Sequence, residues 1–354
     1  MKIKSVKAWL QQLPLTKPYT IAYKVIEDTE IVFFEVVLEN GITGTGASNP
    51  FEDVVGETPA DTLANLQTDF VQNFAGRDIR FFNQLIDEAI TQFPHKPGTI
   101  AAIDIALHDA FCQWLGIRVV DWYGCKINAL PTSYTIGIKD TMAMLEEVKT
   151  IYAAGFKLIK LKTGLNVDED IERVTRLTEL YKNKMRIRVD ANQGYNLQQL
   201  KYFLNKTKDL SLELIEQPLP SGKEPELSVL PDVDRKILTA DESLTDAASA
   251  LLLSHPPAPY GIFNIKLMKC GGIRAAREIA GIAANSGINL FWGCNDESIV
   301  SITAALHAAY SCTHTKYLDL DGSFDLTGDY VTGGFILKEG VMYLTEQPGL
   351  GVNK

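Results

Sequence analysis

Several common classes of protein are excluded by what this chain lacks. Cysteine is scarce: Cys112, Cys125, Cys270, Cys294 and Cys312 are odd in number, widely spaced and form no CxxC. Neither a disulfide framework nor a zinc site is indicated, and a reducing cytosol is the expected setting. No stretch of about 18 apolar residues occurs, and the opening MKIKSVKAWLQQLPL has no apolar core of signal-peptide length. A membrane partner is not expected. Runs of Lys or Arg are missing too, and 34 basic against 44 acidic residues leave a formal charge of −10, which argues against nucleic acid or an anionic membrane surface. Histidine is rare. His108, His307 and His314 fall on helical or loop segments with no partner at metal spacing, so they read as structural. There is no low-complexity linker and no short-period repeat.

What is present is an ordinary globular composition, 46% hydrophobic and 22% charged, spread over 354 residues. That length suits one domain of about 200–250 residues and a smaller companion. From Lys2 to Thr43 the apolar residues alternate, as in Ile31–Leu38, and Asn40-Gly41 marks a hairpin turn. Between Thr58 and Leu115 the apolar spacing becomes helical, clearest in AAIDIALHDAFCQWL with Gly116 just past its end. The first third is therefore α+β. Beyond Pro131, short β-rich runs alternate with helical stretches: Ser133–Ile138, Leu158–Lys162, Arg186–Ala191, Glu213–Glu216, Ile237–Asp241, Ile262–Leu267, Ile288–Trp292 and Tyr317–Asp321. Eight such units favour a closed parallel barrel of the α/β class. The segment after Asp321, with GGFILKEGVMYL, reads as a hairpin returning to the N-terminal domain. Residues 1–125, completed by 325–354, are thus expected to form one domain, and 126–324 the barrel.

In such barrels the catalytic groups sit at the C-terminal strand ends. Here those ends carry Lys160 and Lys162, then Asp190, Glu216, Asp241, Lys266, and finally Asp319 with Asp321. From Lys162 to Lys266 the intervals are 28, 26, 25 and 25 residues, about one βα unit each. A charge at a barrel mouth is costly unless paired or metal-bound, so its recurrence at successive strand ends points to a site. Any one acid alone would read as a helix cap or a salt-bridged loop residue. Asp190, Glu216 and Asp241 on three neighbouring strands instead supply hard oxygen ligands that suit Mg²⁺. Lys160 and Lys162, two apart on one strand, share a face, while Lys266 approaches from across the ring. Acting as counter-ions to the acids is the plainer role for these lysines. Among other cations and a metal, an ammonium is expected to fall from about 10.4 toward about 7–8, where it serves as a base.

These residues resemble the enolase superfamily, and within it the muconate-lactonising subgroup. The strings that carry the resemblance are KLKTG (160–164), VDANQGY (189–195), IEQPL (215–219), ADES (240–243), IKLMKCGGI (265–273) and PGLG (348–351), with AAIDIALHDAF (101–111) ahead of the barrel. The resemblance implies a (β/α)₇β TIM-like barrel under an α+β capping domain, one Mg²⁺ held by Asp190, Glu216 and Asp241, and a homo-oligomer. It further implies that Lys162 and Lys266 are acid/base residues on opposite faces of the substrate and that Lys160 neutralises its carboxylate. Two bases on opposite faces would invert the α-carbon.

Asp319 and Asp321 form a DxD on the last strand, similar to that of the dipeptide epimerases, where it holds the substrate's α-ammonium. The resemblance thus implies 1,1-proton transfer at the C-terminal residue of an Ala-Xaa dipeptide. The second side chain would be read by the segment Tyr19–Glu27 and by barrel-mouth residues. Lys24 could serve an Ala-Glu substrate, whereas Tyr23, Val25 and Ile26 suit an apolar one. FWGCNDES departs from the subgroup pattern by placing Asn295 and Asp296 after Gly-Cys; Asp296 could touch the ammonium or repel an acidic side chain, favouring a small or hydrophobic Xaa. Thr135, inward on the first strand, is a candidate substrate hydrogen-bond partner. Ala-Glu epimerase, cycloisomerase, o-succinylbenzoate synthase, N-acylamino-acid racemase and a catalytically silent scaffold are the alternatives.

Overall fold

The computed structural model describes residues 1–20 and 25–354. Three antiparallel strands, β1 (Ile3–Thr20), β2 (Val25–Leu38) and β3 (Thr43–Ser48), form the first sheet, with β2 in the middle. The turn between β2 and β3 is the expected one, and Gly41 takes the positive φ (89°) that it requires. Helices α1 (Pro59–Leu66), α2 (Phe82–Gln92) and α3 (Pro97–Leu115) follow. Helix α3 is apolar all round, and Gly98 to Cys112 is buried without a break, because it lies between this sheet and the rest of the chain. It sits flush on β3. A Cβ built on Gly44 or Gly46 would come within 2.2 Å of Ala106 O or 2.0 Å of Ala102 O. Only glycine allows that approach.

The outer half of the β1–β2 hairpin is a long arm that reaches beyond its own sheet. Leu15 bridges Leu326, Thr16 N–H donates to Asp325 O at 2.7 Å, and Ile138 N–H donates to Thr20 O at 2.8 Å. These bonds fasten the arm to loops at the C-terminal ends of the barrel strands.

The barrel strands are β4 (Tyr134–Ile136), β5 (Leu158–Lys162), β6 (Arg186–Asp190), β7 (Leu214–Glu216), β8 (Leu238–Ala240), β9 (Ile262–Ile265), β10 (Asn289–Gly293) and β11 (Thr315–Asp319). They pair in parallel and in sequence order, and a Thr132–Leu318 bridge links first to last. Among the described residues, six helices of seven or more residues lie along the connections: α4 (Thr141–Ala153), α5 (Val167–Tyr181), α6 (Leu197–Thr207), α7 (Ala247–Leu253), α8 (Ile273–Asn285) and α9 (Ile299–Tyr310). The barrel with its α+β cap is therefore as expected, and the strand bounds differ from the sequence reading by a few residues. Among the described residues no helix is long and apolar enough to cross a membrane.

After β11 the chain runs back to the first sheet. Tyr330 packs edge-on to Trp9 and donates to Glu35 Oε1 at 3.0 Å, and Leu350 N–H donates to Asp109 Oδ1 of α3 at 2.8 Å. On the way, strands β12 (Phe335–Lys338) and β13 (Val341–Leu344) form a hairpin that pairs with Leu130–Pro131.

Candidate active site

Strand register gathers the charged residues. Lys162 stands opposite Asp190 and Asp190 opposite Glu216, so three neighbouring strands end at one level. Asp241 and Lys266 follow one residue beyond β8 and β9. Gln217, at a strained φ of 33°, braces two of these ends: its Oε1 accepts from Asp241 N–H at 2.9 Å and Ser243 N–H at 3.2 Å. Backbone strain of this kind, shared by Asn192 (φ 41°) and Gln193 (φ 66°), concentrates at functional sites.

An ammonium lies against each acid. Lys160 Nζ is 3.1 Å from Asp190 Oδ2, 2.9 Å from Glu216 Oε2 and 2.7 Å from Asp319 Oδ2. Lys162 donates to Asp190 Oδ2 at 2.7 Å and Lys266 to Asp241 Oδ2 at 2.9 Å. Lys269, which sequence reasoning passed over, donates to Asp241 Oδ1 and to the Asp241 carbonyl, each at 2.5 Å. Lys162 and Lys266 nonetheless face a common space, four strands apart. Both line a cavity of about 320 Å³ and the smaller one of about 170 Å³ beside it, which also share Asp296.

Burial pushes Lys266 down, but Asp241, Glu216 and Glu242 outweigh it, so beside these acids alone the ammonium sits above its usual range. Lys160 is likewise raised by Asp319, Glu216 and Asp190 against its burial. In Lys269 burial wins and the shift is downward. Asp190 and Asp241 are held low by their lysines in spite of burial. Glu216 is pushed up to about 8 and Glu242 to about 7, in each case by burial first and neighbouring acids second.

The three acids expected to converge on one centre end on three neighbouring strands. Among the described residues no three Asp, Glu, His or Cys side chains are arranged to close round an ion. Lys160 stands between Asp190 and Glu216 instead, as Coulomb attraction at a buried site dictates. The donor set still suits a hard dication. Buried oxygens of Glu216 (Oε2), Glu242 (Oε2) and Asn192 (Oδ1) have no hydrogen bond, and the Lys160 contact to Glu216 Oε2 lies outside hydrogen-bond geometry. Two carboxyls with raised pKa beside unsatisfied oxygens form a site short of positive charge.

On the opposite wall, Asp319 is fixed by Lys160 and by Ser133 Oγ at 2.5 Å, while Arg188 donates to Ser133 Oγ at 3.1 Å. Asp321 accepts from Thr135 N–H at 2.7 Å and is pushed to about 7 by burial and by Asp319. Thr135 thus lines the cavity while holding Asp321 in place. Asp296 lies between the two cavities, its carbonyl accepting from Asn49 Nδ2 at 2.7 Å and Thr29 Oγ1 at 3.1 Å. Lys24 and Tyr23 fall outside the described residues. Of the residues not foreseen, Arg188 and Ser133 were within reach of reasoning, since each precedes a named residue by two on an inward face. Glu242 directly follows Asp241 and Asn192 lies two residues past Asp190; both were overlooked.

A closed parallel barrel, capped over its C-terminal mouth and carrying opposed lysines beside clustered carboxylates, defines a class of enzyme that moves protons next to an anionic group. Residues 4–124 match the N-terminal domain of the mandelate racemase / muconate lactonizing enzyme family, and residues 143–353 match the enolase C-terminal domain-like family. The L-Lys-D/L-Arg epimerase of Desulforapulum autotrophicum is 49% identical over the full length of both chains. The L-Lys-D/L-Arg epimerase of Methylococcus capsulatus is 45% identical over 99% of each. Among solved structures, the Methylococcus capsulatus dipeptide epimerase complexed with Mg and L-Arg-D-Lys superposes with a TM-score of 0.98 over 100% of both chains. That of Enterococcus faecalis, complexed with Mg and L-Leu-L-Tyr, is 31% identical and superposes with a TM-score of 0.93, again over 100% of both. The chain belongs to the mandelate racemase and muconate lactonizing family of the enolase superfamily, and it is an isomerase of the racemase and epimerase kind.

Proposed function

We propose that this protein is a magnesium-dependent dipeptide epimerase acting at the α-carbon of the C-terminal residue, and that its substrates carry cationic side chains. The observation that carries the chemistry is the pair Lys162 and Lys266, which enter one cavity from opposite sides of the barrel with the acid trio between them. In this reading Asp190, Glu216 and Asp241 hold Mg²⁺, which when bound polarises the substrate carboxylate and makes the α-proton easier to remove. Lys160 neutralises the same carboxylate. One of Lys162 and Lys266 takes the proton at the α-carbon and the other returns one on the opposite face. Asp319 and Asp321 receive the α-ammonium, with Thr135 positioning Asp321. Residues 1–125 with 325–354 act as the cap over the barrel, 126–324. Family precedent supports a homo-oligomer, and the cysteine pattern supports the cytosol.

The side-chain preference departs from the alanine-first, small or hydrophobic second residue expected from sequence. Two relatives bear the name L-Lys-D/L-Arg epimerase, and the cavity walls suit such ligands. Asp28, Glu30 and Glu52 line the cap side, Asp321 and Asp325 line the other, where Glu147 is paired with Lys139, and Asp296 lines both. Walls of this sign favour guanidinium and ammonium groups and repel a glutamate side chain. A dipeptide library incubated with Mg²⁺ in ²H₂O and read by mass shift is the test, with Arg- and Lys-containing, Ala-Glu, Ala-Leu and N-succinyl-Arg members. Fastest exchange at Lys/Arg dipeptides is expected. Preference for Ala-Leu would overturn the cationic assignment, and no exchange with any member would favour the silent scaffold.

A further inference from the structure

We propose that Asn192 and Glu242 form a pair of acceptors for the water that the magnesium ion retains, and so set the protein's preference for a hydrated Mg²⁺. This rests on the assignment of Asp190, Glu216 and Asp241 as ligands. The two residues are built into the site rather than scattered near it. Asn192 leaves β6 in the left-handed region, and its backbone N–H donates to Asp190 Oδ1 at 2.9 Å. Its Nδ2 donates to Glu242 Oε1 at 3.3 Å, and Glu242 directly follows Asp241. Both are more than nine-tenths buried, at 6% and 9% exposure, and both line the cavity that Lys162 and Lys266 enter.

Their remaining oxygens, Asn192 Oδ1 and Glu242 Oε2, are buried with no hydrogen-bond partner. A buried acceptor left unmade is costly, so a donor is called for. The nearby ammoniums are committed elsewhere: Lys162 to Asp190, and Lys266 with Lys269 to Asp241. Among the described residues no protein group donates to either oxygen, which leaves the donor to the contents of the cavity. Mg²⁺ sheds water reluctantly and keeps several molecules when three carboxylates hold it, and each of those waters is a strong O–H donor. Two acceptors beside the ligands meet that requirement without displacing a ligand. Ca²⁺, larger and more readily dehydrated, would draw less from them.

The test is calorimetric titration of MgCl₂ and CaCl₂ into the full-length protein without dipeptide, for wild type, Asn192→Gly and Glu242→Gln. Glycine accepts the Asn192 backbone and changes no charge, while Gln keeps the volume of Glu242. Loss of a partner outside the ligand set typically weakens metal binding 10–100-fold. A roughly tenfold or greater loss of Mg²⁺ affinity is expected in each variant, with a smaller loss for Ca²⁺ and an unchanged melting midpoint for the metal-free protein. Wild-type Mg²⁺ affinity in Asn192→Gly, or equal losses for both ions, would overturn the proposal. Wild-type protein that bound neither ion would overturn the ligand assignment beneath it.

Discussion

Replacing either opposed lysine by alanine should stop proton removal from one epimer only. The variants are interpretable because each acid keeps an ammonium. In Lys266→Ala, Asp241 retains Lys269 at 2.5 Å, and in Lys162→Ala, Asp190 retains Lys160 at 3.1 Å. Neither change strands a buried carboxylate, the event that costs about 3–5 kcal/mol when a buried pair is broken, so both proteins should fold. A positioned acid or base contributes roughly 10²–10⁴ in rate, and epimerisation needs both lysines, so turnover should fall by at least about 10² in each variant. Exchange is different. With one base gone, the remaining lysine still removes a proton from the epimer that presents it and returns deuterium to the same face. Each variant is then expected to label one epimer at the α-carbon without inverting it, and the two variants should label opposite epimers. Proton NMR of L,L and L,D dipeptides in ²H₂O measures both quantities. Equal residual labelling of both epimers in either variant would refute the opposed arrangement.

Asp319→Asn with Asp321→Asn should raise KM for a dipeptide more than 100-fold while leaving turnover of an N-acylated substrate within a few-fold, and steady-state kinetics on the two substrates checks this. His307 is buried, its Nδ1 accepts from Val120 N–H at 3.0 Å, and burial drops its pKa from 6.5 to about 3. The neutral ring is favoured in the fold, so its contribution is complete above pH 6.5 and is lost on acidification toward pH 3. By pH 5 the loss is about 2 kcal/mol, and His307→Gln should remove that part of the slope in urea melts at pH 7.5 and 5; an unchanged slope would count against it. Gly46→Ala drives a methyl into Ala102 O and should lower stability by about 1–3 kcal/mol or more, seen as a drop in the thermal midpoint.

Much of this architecture was legible because barrel periodicity is local. The run of β-rich segments from Ser133 to Asp321 located all the barrel strands, and the charges at the ends of six of them pointed to the site. Strand register then does what spacing implied, setting Lys162 beside Asp190 and Asp190 beside Glu216. Long-range contacts were not legible. That Lys160 bridges three acids and lies above its usual pKa depends on groups drawn from four strands, and no spacing rule weighs burial against several Coulomb terms at once. The tip of the β1–β2 arm was foreseen only as a segment, Tyr19–Glu27, that reads the substrate; its anchors were not, since the loops that hold it lie about 120 and 300 residues further on. Lys269 went unnoticed because an apolar turn around one lysine looks like any helix start. The acidic cavity linings were not legible for a related reason: Glu52, Glu147 and Asp325 are far apart in sequence and come to line the two cavities only once the chain folds.

The bond between Leu350 and Asp109 has a consequence for the order in which the molecule can be completed. Asp109 leaves the ribosome 241 residues ahead of the amide that it accepts from, and it is wholly buried in the finished protein, with its pKa pushed up to about 6 by that burial. Until the tail arrives, Asp109, on the helix packed against the first-made sheet, has Thr45 N–H on Oδ2 at 2.9 Å but not the Leu350 donor on Oδ1. The first part of the chain to be synthesised is thus completed by the last.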